Sequence, residues 1–337
     1  MSSAIVVHPK FDAIWPFAAD YAHARWRAHG EVTFVRKDSA DVRPVHEALE
    51  SPERVERLIA LGVPFTGSSL DALPKLRELV CTDVAEEALL EKIAARGVQR
   101  ITHPSEGYWG QSVAEFGLAL TLCGLRRIPQ THHEILHNSL PWNYEPEGGV
   151  GRPGARGQQF GDELRFTNGT VAGKRVRIVG AGNIASRYAS FVRMLGADVA
   201  AWDPFASEPC FHRTGARREW HLDRLVEDAE IFAPMVPLTA QTRGLVSSAR
   251  IEALPTGCLV VLVTRADICD MPTLRRRVLA DELALAADVF DVEPLPREDP
   301  LLGRHNVVHT PHNAGRTRDA NERWVDALLV QFFPTRK

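Results

Sequence analysis

A chain of 337 residues, 45% hydrophobic, 25% charged and 7% aromatic, has the composition of a folded globular protein, which excludes disordered, collagen-like and fibrous classes. At ~100–200 residues per domain this length suggests two domains, and a formal net charge of -3, from 40 basic and 43 acidic residues, gives no global attraction for nucleic acid. Five cysteines without a C-x-x-C pair, no basic-then-apolar leader and no run of the ~18 apolar residues that a membrane helix needs make a soluble cytoplasmic protein the expectation.

The first hundred residues alternate strand-like and helix-like segments. Residues 4–8 read as a strand, 15–29 as a helix ending before Gly30, and 32–35 as a strand. The spacing over 54–61 predicts an amphipathic helix stopped by Gly62; 76–81 reads as a strand and 85–95 as a helix closed by Gly97. This alternation implies a parallel sheet covered by helices on both faces. A long apolar helix follows from Ser112 to about Arg126. Residues 143–170, rich in glycine and polar side chains, lack periodicity and read as an extended loop. From Lys174 the alternation resumes. Strands are expected at 175–179, 198–202, 228–235, 259–263, 283–290 and 307–310, and helices at 184–195, 248–253, 272–280 and 316–332.

The segment Arg175-Val-Arg-Ile-Val-Gly180-Ala-Gly182-Asn-Ile-Ala185 joins a strand to a helix through G-x-G-x-x-A. Gly180 permits the tight turn, Gly182 leaves room for a pyrophosphate, and Ala185 lets the helix pack closely on the strand. The helix N-terminus then presents N–H groups and a positive dipole end to the phosphates. Asp203, about 20 residues on, ends the next strand. A carboxylate there accepts bonds from ribose hydroxyls and repels a 2′-phosphate, which favours NAD over NADP. Three ionisable residues follow strands farther along: Arg265, Glu293 and His312, the last in Thr310-Pro-His312-Asn-Ala-Gly315. In an open α/β sheet, ligands bind beyond the carboxyl ends of the strands, so all three reach toward one crevice.

Together, VAGKRVRIVGAGNIA, VPLTAQTRGLV, the arginine of VTRADICD, DVFDVEPL and TPHNAG resemble the D-isomer-specific 2-hydroxyacid dehydrogenase family, phosphoglycerate dehydrogenase-like, in order and spacing. The resemblance spans about residues 73–317. It implies an α/β architecture of two doubly wound parallel-sheet domains. A Rossmann NAD-binding domain is expected over 113–313. A flavodoxin-like substrate domain is expected over 1–112 and 314–337. The implied activity is NAD-dependent interconversion of a 2-hydroxy acid and a 2-oxo acid by hydride transfer. His312 would be the general acid/base, Glu293 would orient its imidazole, and Arg265 would grip the substrate oxyanion. The resemblance also implies cofactor contacts from Gly180, Gly182, Asn183, Ile184, Asp203, Pro237, Thr242, Thr264 and Gly315, and from Asp288 against the nicotinamide carboxamide. The helix from Ser112 resembles an element that relatives use in dimers, so a homodimer is expected, with no nucleic-acid or membrane partner.

The sequence departs from the family in four places. The stretch 76–87 lacks the glycine loop that helps relatives bind the substrate carboxylate. Leu262 and Ala266 stand where relatives have Asn and Gly. The segment around Tyr108 and Trp109 is slightly long, and 143–170 looks inserted. Tyr108, Trp109 and part of that loop are therefore candidates to reshape the pocket for a larger 2-hydroxy acid or a non-carboxylate oxyanion such as a phosphonate. An NAD-binding regulator without turnover is the alternative from another class. His133-Glu134-Ile-Leu-His137 matches the H-E-x-x-H of zinc proteases. It has no downstream ligand motif and no evident third ligand, so no metal site is expected. The cluster Arg275–Arg277 reads as a solvated helix face.

Overall fold

The computed structural model describes residues 2–83, 87–102 and 108–334, with the side chain of Tyr108 outside that description. The chain begins with β1 (Ser2–Val7), α1 (Pro9–Ile14), α2 (Ala18–Arg27), β2 (Thr33–Arg36), β3 (Val55–Leu61), α3 (Gly67–Ala72), β4 (Glu78–Cys81), α4 (Glu87–Ala95) and β5 (Gln99–Arg100). It continues through α5 (Tyr108–Arg126), α6 (Ile128–Ile135), β6 (Arg175–Val179), α7 (Asn183–Met194), β7 (Asp198–Trp202), α8 (Glu208–Thr214), β8 (Arg217–Arg218) and α9 (Leu222–Glu227). The remaining elements are β9 (Ile231–Pro234), α10 (Ser248–Ala253), β10 (Leu259–Leu262), α11 (Met271–Leu279), β11 (Ala284–Ala287), β12 (Val307–His309) and α12 (Arg318–Phe332). They form two compact units, Met1–Trp109 with Arg316–Lys337, and Gly110–Gly315.

The first unit is a parallel sheet in the order β2-β1-β3-β4-β5, the flavodoxin-like arrangement. Here the expectation for 54–61 is overturned: these residues form β3, the central strand, paired with β1 and β4. Glu56 and Arg57 interrupt the apolar run and imitate helical spacing. Leu58–Leu61, however, are buried one after another between two neighbouring strands, and that burial decides the outcome. Gly62 punctuates a strand rather than a helix. Its φ of +63° turns the chain, and a Cβ there would lie 2.9 Å from that of Phe11. The expected single helix over 15–29 begins later, as α2 at Ala18, after the separate α1. The last helix, α12, returns to this unit, capped by the Thr317 hydroxyl accepting from Ala320 N–H. It buries Trp324, Val325, Leu328 and Phe332 against α2, where Trp26 and Phe332 pack edge-on at 4.8 Å.

The second unit carries a seven-stranded parallel sheet in the order β8-β7-β6-β9-β10-β11-β12. This is the Rossmann order with an added strand. The chain direction of winding reverses between β6 and β9, which opens a crevice beyond their carboxyl ends. Strands β10 and β11 are buried along their whole length, as parallel strands covered on both faces must be. Helix α5 packs into this core: the Thr121 hydroxyl is fully buried and lies 2.8 Å from the Tyr188 hydroxyl on α7. No helix among the described residues is long and apolar enough to cross a membrane.

Arg177, on β6, is 1% exposed and bonds to both carboxylate oxygens of Asp228, at 2.7 and 2.6 Å, and to Asp198 at 3.1 Å. The Arg177 hydrogen bonds hold the Asp228 carboxyl below the usual carboxylate range. Both aspartates are about half exposed, so Arg177→Met leaves them solvated rather than stranded. We expect it to cost about 1–3 kcal/mol in urea unfolding at pH 7. The depressed Asp228 value sets the sign. The contribution is present above about pH 4 and is lost as pH falls through the lowered value, so wild type and variant should converge in acid. A gap that persists there would contradict the ion-pair account.

The 143–170 segment contains no helix or strand. Its last part is docked: Thr167 N–H donates to Gly257 O at 2.8 Å, Arg165 reaches Asp281 at 3.4 Å, and Phe166 is buried. Gly257 and Asp281 precede β10 and β11, so residues 165–167 sit at the amino-terminal edge of the sheet. Residues 165–167 are therefore not the part of the loop that could reshape the pocket, because the crevice lies at the opposite edge. Of the cluster 275–277, expected as a solvated helix face, only Arg276 is about half exposed. Arg277 is 4% exposed and donates to the carbonyls of Ile251 and Leu254, and Arg275 pairs with Asp291 and Asp299.

Candidate active site

All the candidate residues that follow strands of the second unit emerge at one edge of its sheet, in strand order. His312 follows β12, Asp288 and Glu293 follow β11, Arg265 follows β10, Pro237 and Thr242 follow β9, Gly180 follows β6, and Asp203 follows β7. The parallel topology does this, since every strand delivers its carboxyl end to the same side.

At the glycine turn, Gly180 has φ +109°, and a Cβ there would lie 3.1 Å from the carbonyl oxygen of Met235. Only glycine fits. Gly182 is the N-cap of α7 and has no neighbour within 4 Å of where its Cβ would be. That open space before a helix N-terminus, with no side-chain cap occupying it, is the room a pyrophosphate requires. Asp203 braces the turn: its Oδ2 accepts from Ala181 N–H at 2.8 Å, and Oδ1 accepts from Phe205 and Ala206 N–H. The carboxylate is thereby fixed at the end of β7. The chain's own residues fit a dinucleotide at this turn. Ala185 is buried and Asn183 and Ile184 are half-buried on the first turn of α7. Thr242 donates to Pro237 O at 2.5 Å, and the buried Thr264 donates to Pro234 O at 3.3 Å.

Across β11 and β12, the His312 Nδ1 lies 2.6 Å from Glu293 Oε2, both side chains about one-third exposed. Glu293 Oε1 accepts from Phe290 N–H at 2.9 Å, which fixes the carboxylate before it meets the imidazole. The pairing at Nδ1 directs the ring so that Nε2 is the nitrogen left for chemistry. His312 adopts φ +55°, the left-handed region. What maintains this conformation is Asp288, whose side chain is fully buried. Its Oδ1 accepts from Thr310 Oγ at 2.7 Å and Asn313 N–H at 3.0 Å, and its Oδ2 from Ala314 N–H at 2.9 Å. These bonds bracket His312 on both sides, and Ser112 Oγ on α5 donates to Ala314 O at 2.6 Å, close to Gly315. The resemblance implies a nicotinamide contact for Asp288; among the described residues the hydrogen-bond partners of its side chain all belong to the histidine loop. Neither the Asp288 tie nor the Ser112 tie was foreseen; both join residues far apart in sequence.

Arg265 is exposed in extended backbone, with Nη1 donating to its neighbour's carbonyl, Thr264 O, at 2.6 Å. Its other guanidinium nitrogens bond no acceptor among the described residues, and such donors suit an oxyanion. Leu262, at the family's Asn position, is fully buried, and Ala266 is nearly so. Trp109 belongs to the first unit, where its ring packs against Trp15 at 4.6 Å and Trp324 at 6.2 Å. The Tyr108 side chain lies outside the described residues, as do residues 84–86 of the shortened stretch.

In the H-E-x-x-H match the His133 and His137 rings lie 4.3 Å apart. Helix α6 ends at Ile135, so His137 lies beyond it, bonded through Nδ1 to His133 O at 2.8 Å, while Glu134 pairs with Arg127. Among the described residues no group of three or more His, Cys, Asp or Glu side chains could hold a metal ion. Thiol chemistry is likewise unsupported at two positions, where burial pushes the Cys81 thiol up to about 11 and the Cys269 thiol up to about 12.

Residues 151–314 match the family described as D-isomer specific 2-hydroxyacid dehydrogenase, NAD binding domain. D-3-phosphoglycerate dehydrogenase from Archaeoglobus fulgidus is 31% identical over 210 residues, 62% of this chain and 36% of that one. Glyoxylate reductase from Thermofilum pendens is 28% identical over 311 residues, 86% of this chain and 84% of that one. The chain spans only 36% to 58% of the length of three D-3-phosphoglycerate dehydrogenases that it matches. The solved structure of D-2-hydroxyisocaproate dehydrogenase shares the fold with a TM-score of 0.72 at 16% identity, covering 99% of this chain and 98% of that one. A D-lactate dehydrogenase from Treponema pallidum gives a TM-score of 0.69 at 19% identity, covering 98% and 96%.

Proposed function

Because the chain belongs to the D-isomer-specific 2-hydroxyacid dehydrogenase family, we propose that it is an NAD-dependent oxidoreductase interconverting a 2-hydroxy acid and a 2-oxo acid. The observation that carries this reading is the His312–Glu293 pair at 2.6 Å, placed at the same sheet edge as the glycine turn. When bound, NAD accepts or donates the hydride. The chain's own residues do the rest. In oxidation, His312 Nε2 takes the proton of the substrate hydroxyl; in reduction it returns a proton to the carbonyl oxygen. Glu293 holds the ring in the orientation that aims Nε2. Arg265 grips the oxyanion and polarises the carbonyl through parallel N–H bonds. Asp203 accepts from the ribose hydroxyls, and its negative charge disfavours a 2′-phosphate.

The test is NADH absorbance against a panel of 2-oxo acids and of phosphonate analogues. Turnover of a 2-oxo acid supports the reading. Turnover of phosphonates alone would replace the carboxylate by another oxyanion. NAD binding with no turnover on either set would make the chain a regulator.

The reading includes a homodimer in the cytoplasm. A series of large apolar side chains stays exposed from α6 into the loop after it, including Leu136 (67%), Trp142 (63%), Tyr144 and Leu164. Exposed apolar side chains in such a series mark an interaction surface. The sequence pointed to α5, where Phe116, Leu118 and Leu122 are only partly buried, and that helix is the second candidate surface. Leu136→Glu combined with Trp142→Glu should convert a dimer into a monomer in sedimentation velocity. A wild-type monomer, or a variant that stays dimeric, would refute this surface.

A further inference from the structure

We propose that Arg187 is a cofactor-phosphate residue of this chain, its guanidinium held over the first turn of α7 to receive the pyrophosphate at the glycine turn. The proposal rests on reading that turn as the NAD site. Side chains on a helix lean toward its N-terminus, so residue 187, one turn in, reaches back over residue 183. The structure fixes it there. Nη1 donates to Asn183 O at 3.0 Å and to Asn183 Oδ1, and Nε donates to Gln111 Oε1 at 3.1 Å. Gln111 is itself oriented, since its Nε2 donates to Glu115 Oε1 at 2.5 Å, which turns Oε1 toward the arginine.

What separates Arg187 from a structural arginine is the chemistry of its partners. Arg177, ten residues upstream, is buried between two aspartates and its charge is cancelled. Arg187 is half-buried, and its hydrogen-bond partners among the described residues are neutral amides and a carbonyl. Ordering a long side chain costs rotamer freedom, and holding its charge without a counter-ion costs more unless an anion completes the arrangement. The anion that the neighbouring N–H groups are built to receive is a phosphate. Guanidinium suits it because Nη2, which bonds no acceptor among the described residues, adds charge-assisted donors beside the dipole of the helix. Gly110 shares this corner, where a Cβ would come 3.7 Å from Arg187 Nη1.

The experiment is calorimetric titration of wild type, Arg187→Met and Arg187→Lys with NAD, ADP-ribose and adenosine. ADP-ribose keeps the pyrophosphate without the nicotinamide, and adenosine has no phosphate. Arg187→Met should weaken NAD and ADP-ribose about tenfold to a hundredfold, with adenosine unchanged, Arg187→Lys in between, and a shallower salt dependence than wild type. Should Arg187→Met not fold, Arg187→Gln carries the same comparison. Unchanged NAD and ADP-ribose affinity overturns the proposal. So does an equal loss for adenosine, which would make Arg187 only a brace between α5 and α7. A wild type that binds no NAD overturns the cofactor reading along with it, whereas normal wild-type binding with an unaffected variant retires Arg187 alone.

Discussion

Replacing His312 with alanine should lower turnover of the true substrate by about 100- to 10,000-fold while NAD affinity stays within about twofold. The size follows from what the imidazole is asked to do. Transfer of hydride from a carbon bearing a hydroxyl leaves a proton that a positioned base must take, and His312 Nε2 is the group so placed once Nδ1 is engaged by Glu293 at 2.6 Å. Glu293→Gln keeps the size of the partner and one hydrogen bond, but removes the charge. It should lose less, about 10- to 100-fold, because the imidazole remains while its orientation loosens. The two losses should not add, since both act through one ring; the double variant should resemble His312→Ala alone. Steady-state kinetics with NAD held saturating checks this. Additive losses would mean that Glu293 acts independently of the histidine.

Residues that act through local chain geometry were legible in the sequence. The glycine turn is a strand, a bend and a helix start within eleven positions, and β7 falls at 198–202 as its spacing predicts. Arg265, Glu293 and His312 could be gathered on one edge because parallel strands share a direction, a rule that needs no coordinates. Features set by partners distant in the chain were not legible. Whether 54–61 is a helix or a strand depends on β1 and β4, which supply its hydrogen bonds. Trp109 packs against Trp324, more than two hundred residues on, a neighbour that its place in the sequence does not announce. The docking of 165–167 at the far edge of the sheet depends on Gly257 and Asp281. In each case composition supplied a side chain able to do the work, and only the fold supplied the neighbour.

Asp288→Asn should reduce turnover about 100-fold with little change in NAD affinity, and destabilise the protein by about 1–3 kcal/mol. The native carboxylate is buried and acceptor-only, and three donors converge on it: Thr310 Oγ, Asn313 N–H and Ala314 N–H. An amide has one acceptor oxygen. Whichever way it turns, at least one of those donors faces an NH2 group, and a buried donor without an acceptor carries its full desolvation cost. The loop then has reason to relax, and His312 is where the relaxation falls. Its left-handed backbone costs a non-glycine residue about 1–2 kcal/mol, sustained here by bonds on either side. A few tenths of an ångström at the imidazole suffice to lose proton transfer, since a base must lie within hydrogen-bond reach of the proton it takes. The alternative role for Asp288, a direct contact with the nicotinamide carboxamide, makes the opposite prediction, with NAD and NADH weakened at least as much as turnover. Titration of both cofactors beside kcat separates the two. Loss confined to cofactor binding would remove Asp288 from the support of His312, and Ser112→Ala, which frees the other side of the same loop at Ala314 O, should then also leave kcat unchanged.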